Sequence, residues 1–218
     1  MGTQGKRERA LIFGSVRESD WSFLKPRLTE PFWVVCADGG VANARSAGLE
    51  PDVVIGDWDS GGAPVPGADN ISLSPEKDMT DLQAAMEQAL SLGARELLLC
   101  GCTGGPRLDH TASNLVILEW LSARGGRGLL LDRQNEVRLL DSETLVVPNV
   151  PPRYRYFSLI PLDRTVTGVT LEGARYPLHR AVLTRGDTLS VSNEPAGPAT
   201  RITIGSGRVL LIRSQPQL

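Results

Sequence analysis

Short runs in the first two thirds of the chain are apolar at every residue: positions 10–13, 32–37, 53–55 and 97–100. A strand with one face in water alternates apolar and polar side chains. A run with no polar position must be buried on both faces, which is the signature of a parallel strand covered on each side by helices. Between these runs lie segments of helical period. The clearest is 80–92, where Leu82, Ala85, Met86, Ala89 and Leu90 form one stripe. Thr80 with Gln83 three residues on reads as a capping box, and Gly93 as the stop. A shorter helix is predicted over 40–47 and a longer one over 109–123, with strands at 129–131 and 137–140. The expected first domain, 1–147, is α/β: a mostly parallel sheet with helices on both faces.

The texture changes at Pro148, Pro151 and Pro152, which read as a linker. After it come short strands at 156–160, 166–171, 189–192, 201–204 and 209–212, separated by Gly173, Gly186, Gly197 and Gly205, with no helical period. The expected second domain, 148–218, is a small all-β sandwich. In the 189–192 strand, Leu189 and Val191 are expected to face inward and Ser190 and Ser192 outward.

The 23 lysines and arginines nearly cancel the 25 aspartates and glutamates, so no basic excess points to nucleic acid. No run reaches the length of a membrane span, and the start lacks the apolar core of a signal peptide. The three cysteines read as reduced, buried thiols of a cytoplasmic protein. The Cys100–Cys102 spacing finds no partner pair and reads as a strand-end thiol plus a loop thiol.

Against this balanced charge, Asp52, Asp57, Asp59, Asp69, Asp78 and Asp81 crowd into one stretch. Such a cluster repels itself unless a cation enters, and carboxylate oxygens suit a hard divalent ion carrying a phosphate on its far side. Asp57 and Asp59 follow a buried strand and point the same way if the chain stays extended. A polar turn is the alternative there. Asp81 opens a helix, where the macrodipole also favours an anion, and Lys77 brings a point charge beside the carboxylates. The turn 101–107 follows a strand and opens a helix, as a phosphate-binding turn does, although it lacks the spacing of a P-loop. Arg107 suits phosphate oxygens, and Asp109 either orients it or serves a metal's outer shell. His110 reads as a base or phosphate partner, or else as a packing residue. Asp38, Gly39 and Gly40 let backbone approach a ligand closely.

Taken in order, A-D-G-G at 37–40, P-D-x-x-I-G-D-x-D-S at 51–60, K-D-x-T-D-L at 77–82, G-G…R-L-D-H-x-x-x-N at 104–114, G-x-x-Y-P-L at 173–178 and L-S-V-S-N-E at 189–194 resemble thiamine pyrophosphokinases. The resemblance covers nearly the whole chain. It implies transfer of the diphosphate of ATP to thiamine, with Mg²⁺, in a homodimer whose site joins the α/β domain of one subunit to the β domain of the other. It implies that Asp57, Asp59 and Asp81 form the metal and diphosphate site, with Lys77, Asp78, Arg107 and Asp109 in the catalytic set. The nucleotide side then includes Asp38, Gly39, Gly40, Asn43, Arg107 and His110. Tyr176, Ser192 and Asn193 would hold thiamine: Tyr176 by stacking, and Asn193 because its amide offers a donor and an acceptor to an aminopyrimidine. Pro106 departs from the family's G-G-R-x-D-H spacing, and Tyr176 stands where some relatives have Trp. Two alternatives remain open: a pyrophosphokinase of the same architecture for another alcohol such as a hydroxymethyl pterin, and a non-catalytic nucleotide-binding module.

Overall fold

The computed structural model describes residues 7–57, 64–74, 76, 78–149 and 153–215. The chain divides into two compact units, Met1–Arg133 and Gln134–Leu218.

In the first unit the apolar runs are strands: β1 (Arg9–Phe13), β2 (Phe32–Ala37), β3 (Val53–Gly56), β5 (Glu96–Cys100) and β6 (Arg127–Leu131). With β4 (Asp69–Ser72) they lie in the order β4-β3-β2-β1-β5-β6, and each neighbouring pair is parallel. The register sets Leu11 beside Val34 and Leu98, and Phe13 beside Cys36 and Cys100. These residues share one buried cluster with Ala44 of α1 (Gly40–Ser46) and with Trp21, Phe23 and Leu24 around a 3-10 helix (Ser22–Arg27). The alternate residues Ala10, Ile12, Val35, Leu97, Leu99 and Leu130 are equally buried. α3 (Leu108–Ser122) packs on that second face: a Cβ added at Gly128 would fall 2.5 Å from Leu118 and 2.9 Å from Leu121. α2 (Asp81–Ser91) buries Leu82, Ala85, Met86 and Ala89 of the predicted stripe, and Thr80 Oγ1 caps it by accepting from Gln83 N at 3.3 Å.

The sequence reading passed over two elements of this unit. β4 is an edge strand, Asp-Asn-Ile-Ser, that buries no residue fully, so no hydrophobic pattern marks it. The 3-10 helix carries Pro26 inside it and is too short to show a period.

The second unit is antiparallel throughout. β7 (Asn135–Asp141), β13 (Arg208–Ser214) and β9 (Tyr156–Pro161) lie side by side in that order. A four-stranded sheet has the order β11 (Leu178–Thr184), β10 (Thr165–Glu172), β12 (Ala199–Thr203), β8 (Thr144–Pro148). Both sheets feed one apolar cluster, with Leu159, Val209 and Leu211 from the first and Val166, Val169, Leu171 and Ile202 from the second.

Three expectations for this unit are corrected. The unit begins at Gln134, not at Pro148, because β7 pairs along its whole length with β13 near the far end of the chain. Pro148 is the last residue of β8, opposite Ala199, instead of the start of a linker. Residues 189–192 form turns, not a strand, and the facing is inverted. Ser190 is buried and its Oγ donates to Leu159 O at 2.7 Å, while Leu189 and Val191 are exposed. The backbone there closes on itself, Val191 N donating to Thr188 O at 3.1 Å, and Ser192 has φ +60°. An isolated alternation could not distinguish such a turn from a strand.

All three cysteines are buried. Burial pushes the Cys36 and Cys102 thiols up to about 12, and Cys100 well above its ordinary value. Only the thiolate alkylates readily. Iodoacetamide at pH 8 should therefore leave all three unlabelled in the native protein and label all three in denaturant, as read by intact mass. Rapid labelling of any native thiol would contradict this packing.

Candidate active site

The order β4-β3-β2-β1-β5-β6 places a topological switch point between β1 and β5, since the chain leaves β1 toward β2 and later returns on the other side. In open parallel sheets ligands sit in the crevice at this point, beyond the carboxyl ends of the strands. Five strand ends lead into it: Gly14 after β1, Asp38 after β2, Asp57 after β3, Gly101 after β5 and Asp132 after β6.

The crevice wall is built from backbone in very close approach. Gly14 N donates to Cys100 O at 2.8 Å, and Val16 N to Gly101 O at 2.9 Å. A Cβ at Gly14 would lie 2.6 Å from Gly101 O. Gly40 brings the start of α1 against β1 so tightly that a Cβ would lie 2.0 Å from Phe13 O. The A-D-G-G stretch therefore has a packing reason, whatever ligand it meets. Asp38 is partly exposed with φ +47°, and its N–H donates to Ile55 O at 2.7 Å.

Asn43 sits beneath this wall, 1% exposed. Its Nδ2 donates to Gly14 O at 2.7 Å and Val16 O at 2.8 Å. Both amide hydrogens are thus committed to holding the post-β1 loop. The sequence reading had placed Asn43 on the nucleotide side; in the structure it acts on the loop instead.

The turn after β5 folds back on α3. Thr111 Oγ1 accepts from Gly104 N and donates to Gly104 O, both at 3.0 Å, and Asn114 Nδ2 donates to Cys102 O at 2.7 Å. Thr103 Oγ1 donates to Asp132 Oδ2 at 3.1 Å. The reading from sequence missed Thr111 and Asp132. Thr111 and Asn114 share one helix face at i, i+3, a spacing that could have flagged the pair. Arg107 and Asp109 form a forked pair, Nε to Oδ1 at 2.9 Å and Nη2 to Oδ2 at 2.6 Å. Asp109 thus holds Arg107 through both of its carboxylate oxygens. The hydrogen bond from Arg107 holds the Asp109 carboxyl well below the usual carboxylate range and raises Arg107 in turn. Both side chains are exposed, as is His110.

Asp57 and Asp81 are each partly exposed, Asp81 as the first residue of α2, and Asp78 is exposed. Asp59 and Lys77 lie outside the described residues. Among the described residues, no three of His, Cys, Asp or Glu are grouped to hold a metal ion.

In the second unit Tyr176 is 56% exposed, with the Arg175 guanidinium 5.5 Å from its ring centroid. Asn193 is 4% exposed, and its amide bonds within the chain. Its Oδ1 accepts from Tyr176 N at 3.1 Å and Glu194 N at 2.9 Å, and its Nδ2 donates to Tyr176 O at 2.7 Å. The amide oxygen and one amide hydrogen are thus spent within the chain, and Asn193 clamps the backbone that carries Tyr176. Ser192 is exposed, its N–H donating to Ser158 Oγ at 3.0 Å.

Two family descriptions match the chain in order: "Thiamin pyrophosphokinase, catalytic domain" over residues 26–127, and "Thiamin pyrophosphokinase, vitamin B1 binding domain" over 143–209. Thiamine pyrophosphokinase of Bacillus subtilis (strain 168) is 29% identical over 187 residues, spanning 81% of this chain and 85% of that protein. The crystal structure of thiamine pyrophosphokinase from Bacillus subtilis superposes with a TM-score of 0.86 at 26% identity, covering 96% of this chain and 100% of that one. That of thiamin pyrophosphokinase from Geobacillus thermodenitrificans gives 0.83 at 32% identity, covering 96% and 98%.

Asn43→Ala should leave the Gly14 and Val16 carbonyls without their shared donor and cost about 2 kcal/mol of unfolding free energy in urea titrations. A loss below about 0.5 kcal/mol would show that the amide does not hold the loop.

Proposed function

The chain belongs to the thiamine pyrophosphokinase family, and we propose that it transfers the β,γ-diphosphate of ATP to the hydroxyethyl oxygen of thiamine, giving thiamine diphosphate and AMP. The observation that carries the choice of alcohol is the vitamin B1-binding match over 143–209, within the β unit. It favours thiamine over a pterin, and the catalytic-domain match over 26–127 favours an enzyme over a simple nucleotide binder.

In this reading the alcohol oxygen forms a bond to the β-phosphorus and gives up its proton to solvent, while the bond from that phosphorus to the α-phosphate oxygen breaks, and AMP departs. Such transfers depend chiefly on positioning and charge neutralisation. The switch-point crevice of the first unit, with its glycine-lined wall, is the proposed nucleotide seat, Asp38, Gly39 and Gly40 lying on its edge. Arg107, aimed by Asp109, faces the phosphates, with His110 and Lys77 assigned to the same side and Asp78 close by. For a cation, the donors Asp57, Asp59 and Asp81 are all hard carboxylate oxygens, the type that Mg²⁺ takes, and the partial exposure of Asp57 and Asp81 leaves room for water and phosphate. A Mg²⁺ held by these carboxylates would supply positive charge to offset that of the phosphates.

Thiamine is assigned to the second unit. Tyr176 offers one ring face for stacking, and a thiazolium over it gains on the order of 1 kcal/mol. Ser192 lies exposed for hydrogen bonding, and Asn193 acts by holding Tyr176. The finer architecture of this unit is read as a sandwich from the cluster that both sheets feed. A homodimer is proposed on the family's pattern, supported by exposed apolar side chains in each unit: Leu108 and Val116 of α3, and Val182, Leu189 and Val191. A cytoplasmic location is supported by three free, buried thiols. No helix among the described residues is long and apolar enough to cross a membrane.

Incubation with ATP, Mg²⁺ and thiamine should yield thiamine diphosphate and AMP in equal amounts, and no product with hydroxymethyl pterin. ADP with a monophosphate ester would mean an ordinary kinase. Asp57→Asn keeps the shape and removes a charged hard ligand; kcat should fall by roughly a hundredfold or more with the fold intact by circular dichroism. Near-normal turnover in that variant would remove Asp57 from the metal site.

A further inference from the structure

The second unit holds a cavity of about 210 Å³ whose lining includes Arg153, Tyr154, Arg155, Glu194 and Arg213. None of these residues has been assigned to the transfer or to thiamine. Among the described residues, three arginines and one carboxylate line it. The carboxylate, Glu194, is paired with a further arginine, Arg175, at 2.9 Å. Arg213 reaches the buried Glu136 at 3.2 Å, but the same oxygen takes Arg138 at 3.0 Å. Among the described residues, five arginines thus stand around these two carboxylates.

The guanidinium groups lie on aromatic rings. Arg213 sits over the Tyr154 ring at 4.6 Å and Arg153 over the same ring at 5.1 Å. Arg155 lies 5.0 Å from the ring centroid of Tyr156. Tyr154 is only 5% exposed, so it is a rigid platform. Stacking of this kind orients the planar fork of arginine without consuming its charge. Crowded like charges raise the free energy of the site until an anion enters.

We infer that this cavity binds a diphosphate group. The volume is below that of sites for drug-sized ligands and suits a compact polyanion. Arginine forks match phosphate oxygens bidentately, and a diphosphate offers enough oxygens to engage several. The group is either inorganic diphosphate or the diphosphate arm of an ester.

The test is calorimetric titration of the full chain with sodium pyrophosphate in EDTA, at fixed ionic strength. Chelation silences any phosphate site that depends on a divalent cation, and repeating the titration in an Arg107→Ala background removes the phosphate-facing arginine of the first unit. Binding should be one to one. Arg153→Ala with Arg155→Ala should weaken it by about tenfold or more. Arg153→Lys with Arg155→Lys should retain part of it, because the charge stays while the fork is lost. Circular dichroism of the alanine pair checks that its fold is intact. Thiamine diphosphate as a second titrant distinguishes ester from inorganic diphosphate, and binding of either supports the site only where the alanine pair weakens it. No heat with either titrant, or equal affinity in the alanine pair, overturns it. The turnover assay with ATP, Mg²⁺ and thiamine is separate. Turnover without metal-free anion binding sinks the cavity alone; anion binding without turnover sinks the transfer reading alone.

Discussion

The close backbone approach between the ends of β1 and β5 is the constraint on which the first unit's crevice depends. Two chain segments meet there with no room for a side chain at Gly14, and their contact is secured from below by the buried amide of Asn43. A buried amide with both hydrogens bonded is inexpensive to keep and costly to disturb. The same restriction repeats at Gly40, where the start of α1 presses on the end of β1. Glycine in this chain thus acts first on the shape of the crevice, and any ligand meets a wall already set.

The second unit relies on the same device with different residues. Asn193 clamps the segment bearing Tyr176 through two side-chain hydrogen bonds, as Asn43 clamps the post-β1 loop through two. In both places a buried asparagine organises the backbone, and the groups left exposed are its neighbours. Glu136 plays a related part among the arginines: at 1% exposure it must be paired, and Arg138 and Arg213 supply that pairing.

The legible parts of the fold share one physical property: their evidence is local. A run apolar at every residue has to be covered on both sides, so β1, β2, β3 and β5 could be read from the chain. The stripe of α2 and its Thr80 cap were visible for the same reason. β4, β8 and β11 were not, because each is an edge strand whose residues serve a single neighbour and carry no clean alternation. The run at 189–192 alternated without a ladder partner and became a turn.

By itself the sequence determined the α/β class of the first unit, the all-β character of the second, and the family. These follow from composition and order within short windows, where side-chain burial and charge repulsion act directly. Tertiary structure alone decided that the second unit begins at Gln134, since that depends on β7 finding β13 across most of the unit's length. It also decided that Asn43 and Asn193 hold backbone, that Asp109 aims Arg107, and that separated arginines surround one cavity. An amide's hydrogens can serve a ligand or the chain, and only the distances between segments far apart in sequence determine which.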